Sequence, residues 1–205
     1  KAKATPGVTS ATPLIEQPML ANYQGRVEAV LVRGMTMEDI RSNAILKGKV
    51  KVGSMGNLKP GADVVAIGSG LAENLGVTVG SSLSIINPAG RATPFGTVPR
   101  EISYTVGAIF EVGVYDYDKA FVVMPMQNAQ QLLLLGDVVG MIEVNTVDAD
   151  KVGDILAPLA DKVEGQAVIT DWRQMNSSLF EALQVDRVVS FVVLSLIILV
   201  AVFNI

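Results

Sequence analysis

The feature that most constrains this chain is its last stretch. Residues 188–205 (VVSFVVLSLIILVAVFNI) form a nearly unbroken apolar run with no charge. At ~1.5 Å of rise per residue, these 18 positions span roughly 27 Å as a helix, against a hydrocarbon core of about 30 Å. A buried core helix is the alternative, but such a helix normally keeps one polar side, and here only Ser190, Ser195 and Asn204 break the hydrophobicity. The expectation is an extramembrane domain followed by the start of a membrane anchor, the run being cut at the chain end.

The 205 residues suffice for one large or two small domains, and half of them are apolar. The net charge of −4 contains no basic block, which argues against nucleic acid as a partner. The chain has neither cysteine nor histidine. That excludes a disulfide scaffold, thiol nucleophiles, Ser-His-Asp triads and ordinary zinc sites. Hydrolysis by two carboxylates remains formally open, with no acidic spacing in its favour. No catalytic residue, metal ligand or cofactor is therefore expected. Residues 1–17 contain no apolar segment of signal-peptide length, so an exported domain would need a membrane helix upstream. The flank 171–187 carries Arg173 and Arg187 against Asp171, Glu181 and Asp186. Cytoplasmic flanks are enriched in Lys and Arg, so the domain is expected to face outward.

Along the chain, residues 22–34 read as a strand after a turn at Gly25, and 37–44 as a short helix. The glycine-rich stretch 47–61 reads as a boundary. Strands are expected at 63–67, 82–86, 102–110 and 120–124, with Ile102, Tyr104, Val106, Ala108 and Phe110 on one face. Helices are expected at 69–75 and 126–135, the latter opened by Pro125 and closed by Gly136. A strand at 141–144, an amphipathic helix at 150–163 kinked or shortened by Pro158, and a strand at 167–170 complete the pattern. Asp171 is a good N-cap with Gln174 three residues on, and one continuous helix is expected from about Trp172 into the apolar run, or two helices hinged near Asp186–Arg187. The strand–helix–strand unit pairs naturally with the strand at 26–32, leaving 63–136 as an insertion. The fold class read from this is α+β: a split βαβ subdomain (1–46 and 138–186), an inserted small β-rich subdomain (47–137) with a hairpin arm (87–100), and a long helix entering the membrane (187–205).

Two segments invite functional readings. Gly68-Ser69-Gly70 comes after a strand and opens a helix, but the third glycine of a dinucleotide fingerprint falls at Glu73, and tight-turn glycines explain it better. The connection 87–100 (NPAGRATPFGTVPR) joins two apparent hairpin partners yet exceeds the usual 2–5 residues. Pro88, Pro94 and Pro99 stiffen it, Gly90 and Gly96 permit reversals, and Arg91 and Arg100 flank Phe95. A stiff arm displaying an aromatic suits capture of a partner, because little entropy remains to be lost. A surface loop folded back on its own domain is the equal alternative.

The final helix, with Trp172, Asn176, Leu179-Phe180-Glu181-Ala182-Leu183, Arg187, Phe191 and Leu199-Val200-Ala201, resembles the approach to the second membrane helix in LolC/LolE, the membrane subunits of the lipoprotein-releasing ABC transporter. The segments Ile67-Gly68, Leu71-Ala72, Leu75-Gly76-Val77 and Val79-Gly80, then Tyr104, Val106-Gly107, Phe110, Tyr115-Asp116 and Ala120-Phe121-Val122, resemble periplasmic domains of the MacB and FtsX type. The resemblance implies a non-catalytic permease subunit of the bacterial inner membrane, its domain facing the periplasm. It implies partners: a LolA-like periplasmic carrier, a LolD-like cytoplasmic ATPase, a second permease subunit (itself or a LolC/LolE relative) and lipoprotein cargo. An efflux or cell-division subunit of the MacB or FtsX kind is the runner-up. In the LolC branch a hairpin arm captures the carrier, which implies carrier contacts at Arg91, Pro94, Phe95, Gly96, Pro99 and Arg100. Of the basic pair that LolC carries after the arm, Arg100 is present, with Glu101 and Ile102 next. Phe191 and Leu194 are expected to face lipid or lipoprotein. The resemblance also implies that the split subdomain is porter-like, and that the first membrane helix and an opening strand precede residue 1.

Overall fold

A computed structural model of the chain describes residues 2–43, 46, 48–93, 96–163, 165 and 167–203. Its contacts fall into two units, Ser10–Val144 and Lys1–Thr9 with Asn145–Ile205. The architecture is mixed α+β, as expected.

The larger unit opens with a hairpin of β1 (Val8–Tyr23) and β2 (Arg26–Met35). Gln24 and Gly25 at its turn have φ of 50° and 84°, the two positive values that a two-residue turn of matching twist requires. The sequence reading lacked β1, because Pro13 and Pro18 weigh against a strand. After it come α1 (Met37–Ser42), β3 (Val50–Gly53), β4 (Val64–Gly68), α2 (Ser69–Leu75), β5 (Ser82–Thr93) and β6 (Gly96–Phe110). The remaining elements of this part are α3 (Tyr115–Ala120), β7 (Phe121–Pro125), α4 (Met126–Leu133) and β8 (Met141–Thr146).

Strand pairing runs β2-β7-β4-β6-β5-β1-β8, with β3 on β6 and a further pairing of β1 with β2. That last pairing closes a ring of six strands. Each of the six sends alternate residues into one cluster: Met19 and Ala21, Val30 and Val32, Val65 and Ile67, Leu83 and Ile85, Tyr104 and Val106, Val122 and Met124. Leu71 and Leu75 of α2 and Ala129 and Leu132 of α4 join it. A second cluster takes the intervening positions Ala66 and Val123 with Met35, Ala108 and Phe110, and Ile40, Leu46 and Leu58 cover it.

β6 serves both clusters. Its pairing with β4 slips between Val106 and Ala108, leaving Gly107 as a bulge. One inserted residue turns every later side chain to the opposite face, so Tyr104 and Val106 enter the first cluster, Ala108 and Phe110 the second. The single face expected for 102–110 is corrected accordingly. The Gly107 carbonyl accepts from Asn57 Nδ2 at 3.0 Å and from the Ser54 N–H at 3.2 Å, which fixes the bulge.

The expected separation of 63–136 also needs correcting. β7 pairs in parallel with β2 on one edge and antiparallel with β4 on the other, so the strands assigned to an insertion share a sheet with 26–35. Four of the five β7 residues are buried, and a strand buried on both faces needs neighbours on both edges.

In the unit of the two chain ends, α5 (Val152–Val163) buries Val152, Leu156 and Leu159 and runs through Pro158 at nearly the full expected length. Residues 167–170 form no strand, and Val168 is 91% exposed. The expected continuous helix is broken once, between α6 (Trp172–Met175) and α7 (Ser177–Phe203). Asn176 causes the break: its Nδ2 donates to the Trp172 carbonyl at 2.7 Å, competing with the helical ladder, and its ψ moves to 32°. No interruption occurs at Asp186–Arg187. The 27 residues of α7 are ~40 Å long, and an 18-residue window within Glu181–Phe203 has a mean hydropathy of 2.5 and no burial. Among the described residues this is one helix long and apolar enough to cross a membrane.

Candidate functional site

Among the described residues, the connection 87–100 forms the far end of a hairpin. β5 and β6 pair from Ser82 opposite Thr105 to Asn87 opposite Arg100, and again from Arg91 opposite Val98 to Thr93 opposite Gly96. β1 leaves β5 at Ile86 and β4 leaves β6 at Thr105, so beyond Asn87 and Arg100 the two strands pair only with each other among the described residues. The arm from Asn87 to Thr93 reaches up to roughly 20 Å at 3.3 Å per residue. Strand pairing has absorbed the length that made a hairpin loop seem improbable.

The expected carrier-contact residues occupy different parts of this arm. Pro94 and Phe95 lie outside the described residues. Arg91 is opposite Val98 in the ladder, Gly96 has a φ of 120° opposite Thr93, and Gly96 and Pro99 are exposed. Val98, beside Pro99, is exposed at 56%. Arg100 stands where the arm leaves the sheet. It is half-buried, and its Nε is enclosed without a hydrogen-bond partner among the described residues. Its charge is felt by Tyr104, whose phenol is pushed up to about 12, first by burial, then by the Asp63 carboxylate, with Arg100 opposing both.

An irregularity sits at the base of the arm. Between Asn87 and Arg91, β5 places Pro88, Ala89 and Gly90 against Pro99 alone on β6. Asn87 is 6% exposed, and its Oδ1 accepts from the Ala89 N–H at 3.0 Å, an Asx turn. Gly90 has a φ of 38°, and a Cβ there would run into the Val98 carbonyl. Neither proline has an N–H to leave unpaired, which is why prolines are tolerated at such a site. The Asn87-Pro88 dipeptide was the signal for this turn, and the sequence reading passed over it.

The other singled-out motifs are structural. A Cβ on Gly68 would collide with the Asp118 carbonyl, so this glycine lets α3 approach the start of α2. Asp118 in turn is buried, with Oδ1 accepting from Val112 N–H at 2.7 Å and Oδ2 from Gly113 N–H at 2.9 Å. Among the described residues no group of three His, Cys, Asp or Glu side chains could hold a metal. On α7, Phe191 is 72% and Leu194 60% exposed, three positions apart and so on one flank, in a run whose apolar neighbours are equally exposed.

A family model described as the MacB-like periplasmic core domain matches residues 1–162. The chain belongs to the MacB-like periplasmic core domain family. Two solved structures share this fold. The periplasmic region of MacB from Actinobacillus actinomycetemcomitans superimposes with a TM-score of 0.52 at 11% identity, covering 86% of this chain and 78% of that one. The extracellular domain of the noncanonic ABC-type transporter YknZ from Gram-positive bacteria gives 0.51 at 16% identity, covering 81% of each. In sequence, this MacB-like chain is similar to the lipoprotein-releasing system transmembrane protein LolC of Xylella fastidiosa, at 33% identity over 203 residues, 99% of the chain and 49% of that protein. It is 32% identical over 199 residues to LolC of Neisseria meningitidis serogroup B, covering 97% of the chain and 48% of that protein. The chain thus spans about half the length of the curated relatives it matches.

Proposed function

We propose that this chain is the periplasmic part, with the start of a membrane helix, of an ABC transporter permease subunit that releases lipoproteins from the bacterial inner membrane. The subunit hands its cargo to a LolA-like periplasmic carrier. ATP is hydrolysed on a separate LolD-like cytoplasmic chain, so this chain contributes no catalysis. A second permease subunit, a copy or a LolC/LolE relative, completes the membrane part.

The observation that carries this reading is the similarity to LolC along 99% of the chain, arm included. The arm supports it: beyond Asn87 and Arg100 its strands pair only with each other among the described residues, and Gly96, Val98 and Pro99 are exposed, so that a partner can close around them. In this reading Phe95 is the main anchor, with Pro94, Gly96 and Pro99 holding it out and Arg91 and Arg100 adding polar contacts. Interface energy concentrates in a few aromatic and arginine side chains, and truncating a good anchor costs about 2 kcal/mol or more, roughly thirtyfold in affinity. Phe191 and Leu194 face lipid or the acyl chains of the cargo.

The test compares Phe95→Ala with the natural chain in carrier binding and in melting temperature. Binding weakened about thirtyfold with an unchanged melt supports the reading. Unchanged carrier binding refutes Phe95 as the anchor, whereas no carrier binding by the natural chain refutes the whole reading and favours an efflux or cell-division role of the MacB or FtsX kind.

A further inference from the structure

We infer that the irregularity at the base of the arm is a fixed elbow, and that Asn87 is the positioning residue that aims the arm at its partner. The inference rests on the carrier-capture reading for what the arm meets, and on geometry alone for the elbow. An arm held by two strands would ordinarily continue the twist of its ladder. Here three residues of β5 are set against one of β6, and such an insertion bends the longer strand and re-aims the residues beyond it. Three separate constraints keep the bend from flexing. Pro88 and Pro99 hold φ near −65° on both strands. Gly90 at φ 38° is packed so closely on Val98 that no side chain fits. The Asn87 side chain, buried where the ladder stops, closes the turn by accepting from Ala89 N–H.

Of these groups Asn87 alone is tied to both parts: its backbone belongs to the last ring-side pair, opposite Arg100, while its side chain sets the first residues of the elbow. Losing its oxygen frees residues 88–90 to sample other turns. An arm that wanders must be ordered again each time a partner binds, and that ordering lowers affinity without removing a single contact. Asn87 itself touches no partner; it acts through the aim of the arm.

The absence of natural cysteine allows the aim to be read directly. Nitroxide labels on cysteines introduced at Thr97 on the arm and at exposed Glu73 on α2 report an inter-label distance distribution. A single narrow distribution is expected for the natural chain and for Asn87→Asp, which keeps an accepting oxygen. A broad one is expected for Asn87→Ala, with carrier affinity about tenfold weaker and the melting temperature of the ring little changed. Rescue by Asn87→Asp separates positioning from simple loss of packing. A narrow distribution in Asn87→Ala overturns the elbow, and a broad one with unaltered carrier binding overturns the positioning role. Phe95→Ala, run beside them, reports on the capture reading independently, because it leaves the elbow intact.

Discussion

Arg33 and Glu16 stand directly opposite each other on β2 and β1, and the Arg33 Nε lies 2.6 Å from a Glu16 carboxylate oxygen. The same guanidinium reaches Glu143 at 3.2 Å and sits 5.3 Å from the centre of the Phe121 ring, which stacks on Tyr117. One cation therefore ties β2 to β1, β8 and β7. Arg33→Met keeps the packing stem but leaves two carboxylates facing each other without a cation. The expected cost is about 1–2 kcal/mol, since the pair is only partly buried, and a melting temperature lower by several degrees; high salt should narrow the gap.

Asp118 uses both oxygens to hold the turn at Val112 and Gly113. Asp118→Asn places an NH2 against one of those N–H groups and forfeits a charge-assisted bond. Urea denaturation should show a loss of about 1–3 kcal/mol. Asp118→Ala should lose no less, since it strands both donors.

Two glycines allow a paired test of close approach against backbone freedom. Gly68→Ala drives a methyl into the Asp118 backbone, which cannot rotate away, and should cost about 3 kcal/mol. Gly80→Ala meets nothing within 4 Å and strains only a φ of 92°, so about 1 kcal/mol is expected. Equal losses in urea would show that α3 yields more readily than its contacts suggest.

Tyr104 gives the domain a signature at high pH. Its phenol is raised from 10.0 to about 12 in the folded chain, so the stabilisation it contributes is whole below pH 10. Between pH 10 and about 12 the unfolded chain gives up this proton while the folded chain keeps it, and stability falls. Ultraviolet titration should show one of the four tyrosines ionising late, and Tyr104→Phe should remove that late step.

On the proposed function, and if α7 transmits motion as a rod, inserting Gly-Gly-Ser near Asp186 should leave the domain folded yet separate lipoprotein release from ATP hydrolysis in the assembled transporter. Release at the natural rate per ATP would show that transmission takes another route.

Much of the fold was legible where a local rule and the packing agree. The strands at β4, β5 and β7, the helices α2 and α4, and the apolar terminal run can be read from periodicity and end signals. Of the features that escaped, three have identifiable reasons. β1 carries Pro13 and Pro18, and its strand character comes from neighbours on β2, β5 and β8 rather than from its own pattern. The face change in β6 depends on Gly107 fitting against Asn57 and Val64, which no spacing of apolar residues reveals. The helix break at Asn176 is one side chain competing with one carbonyl, too weak a sign to outweigh an uninterrupted helical pattern. At the candidate site the residue types and an arm at 87–100 could be read from the sequence, but not the strand pairing within it, because pairing that reaches Thr93 and Gly96 is a long-range property of two strands.

β6 begins beside the tip of the arm, at Gly96, and ends beneath the outer cover, at Phe110, bonded on the way to β5, β4 and β3. A pull on the arm moves β5 and β6 together and loads their ladders to β1, β4 and β3 in shear, so that many backbone hydrogen bonds resist together. A pull across it would peel them apart one at a time. The domain is therefore expected to be mechanically anisotropic, withstanding far more tension along the arm than sideways.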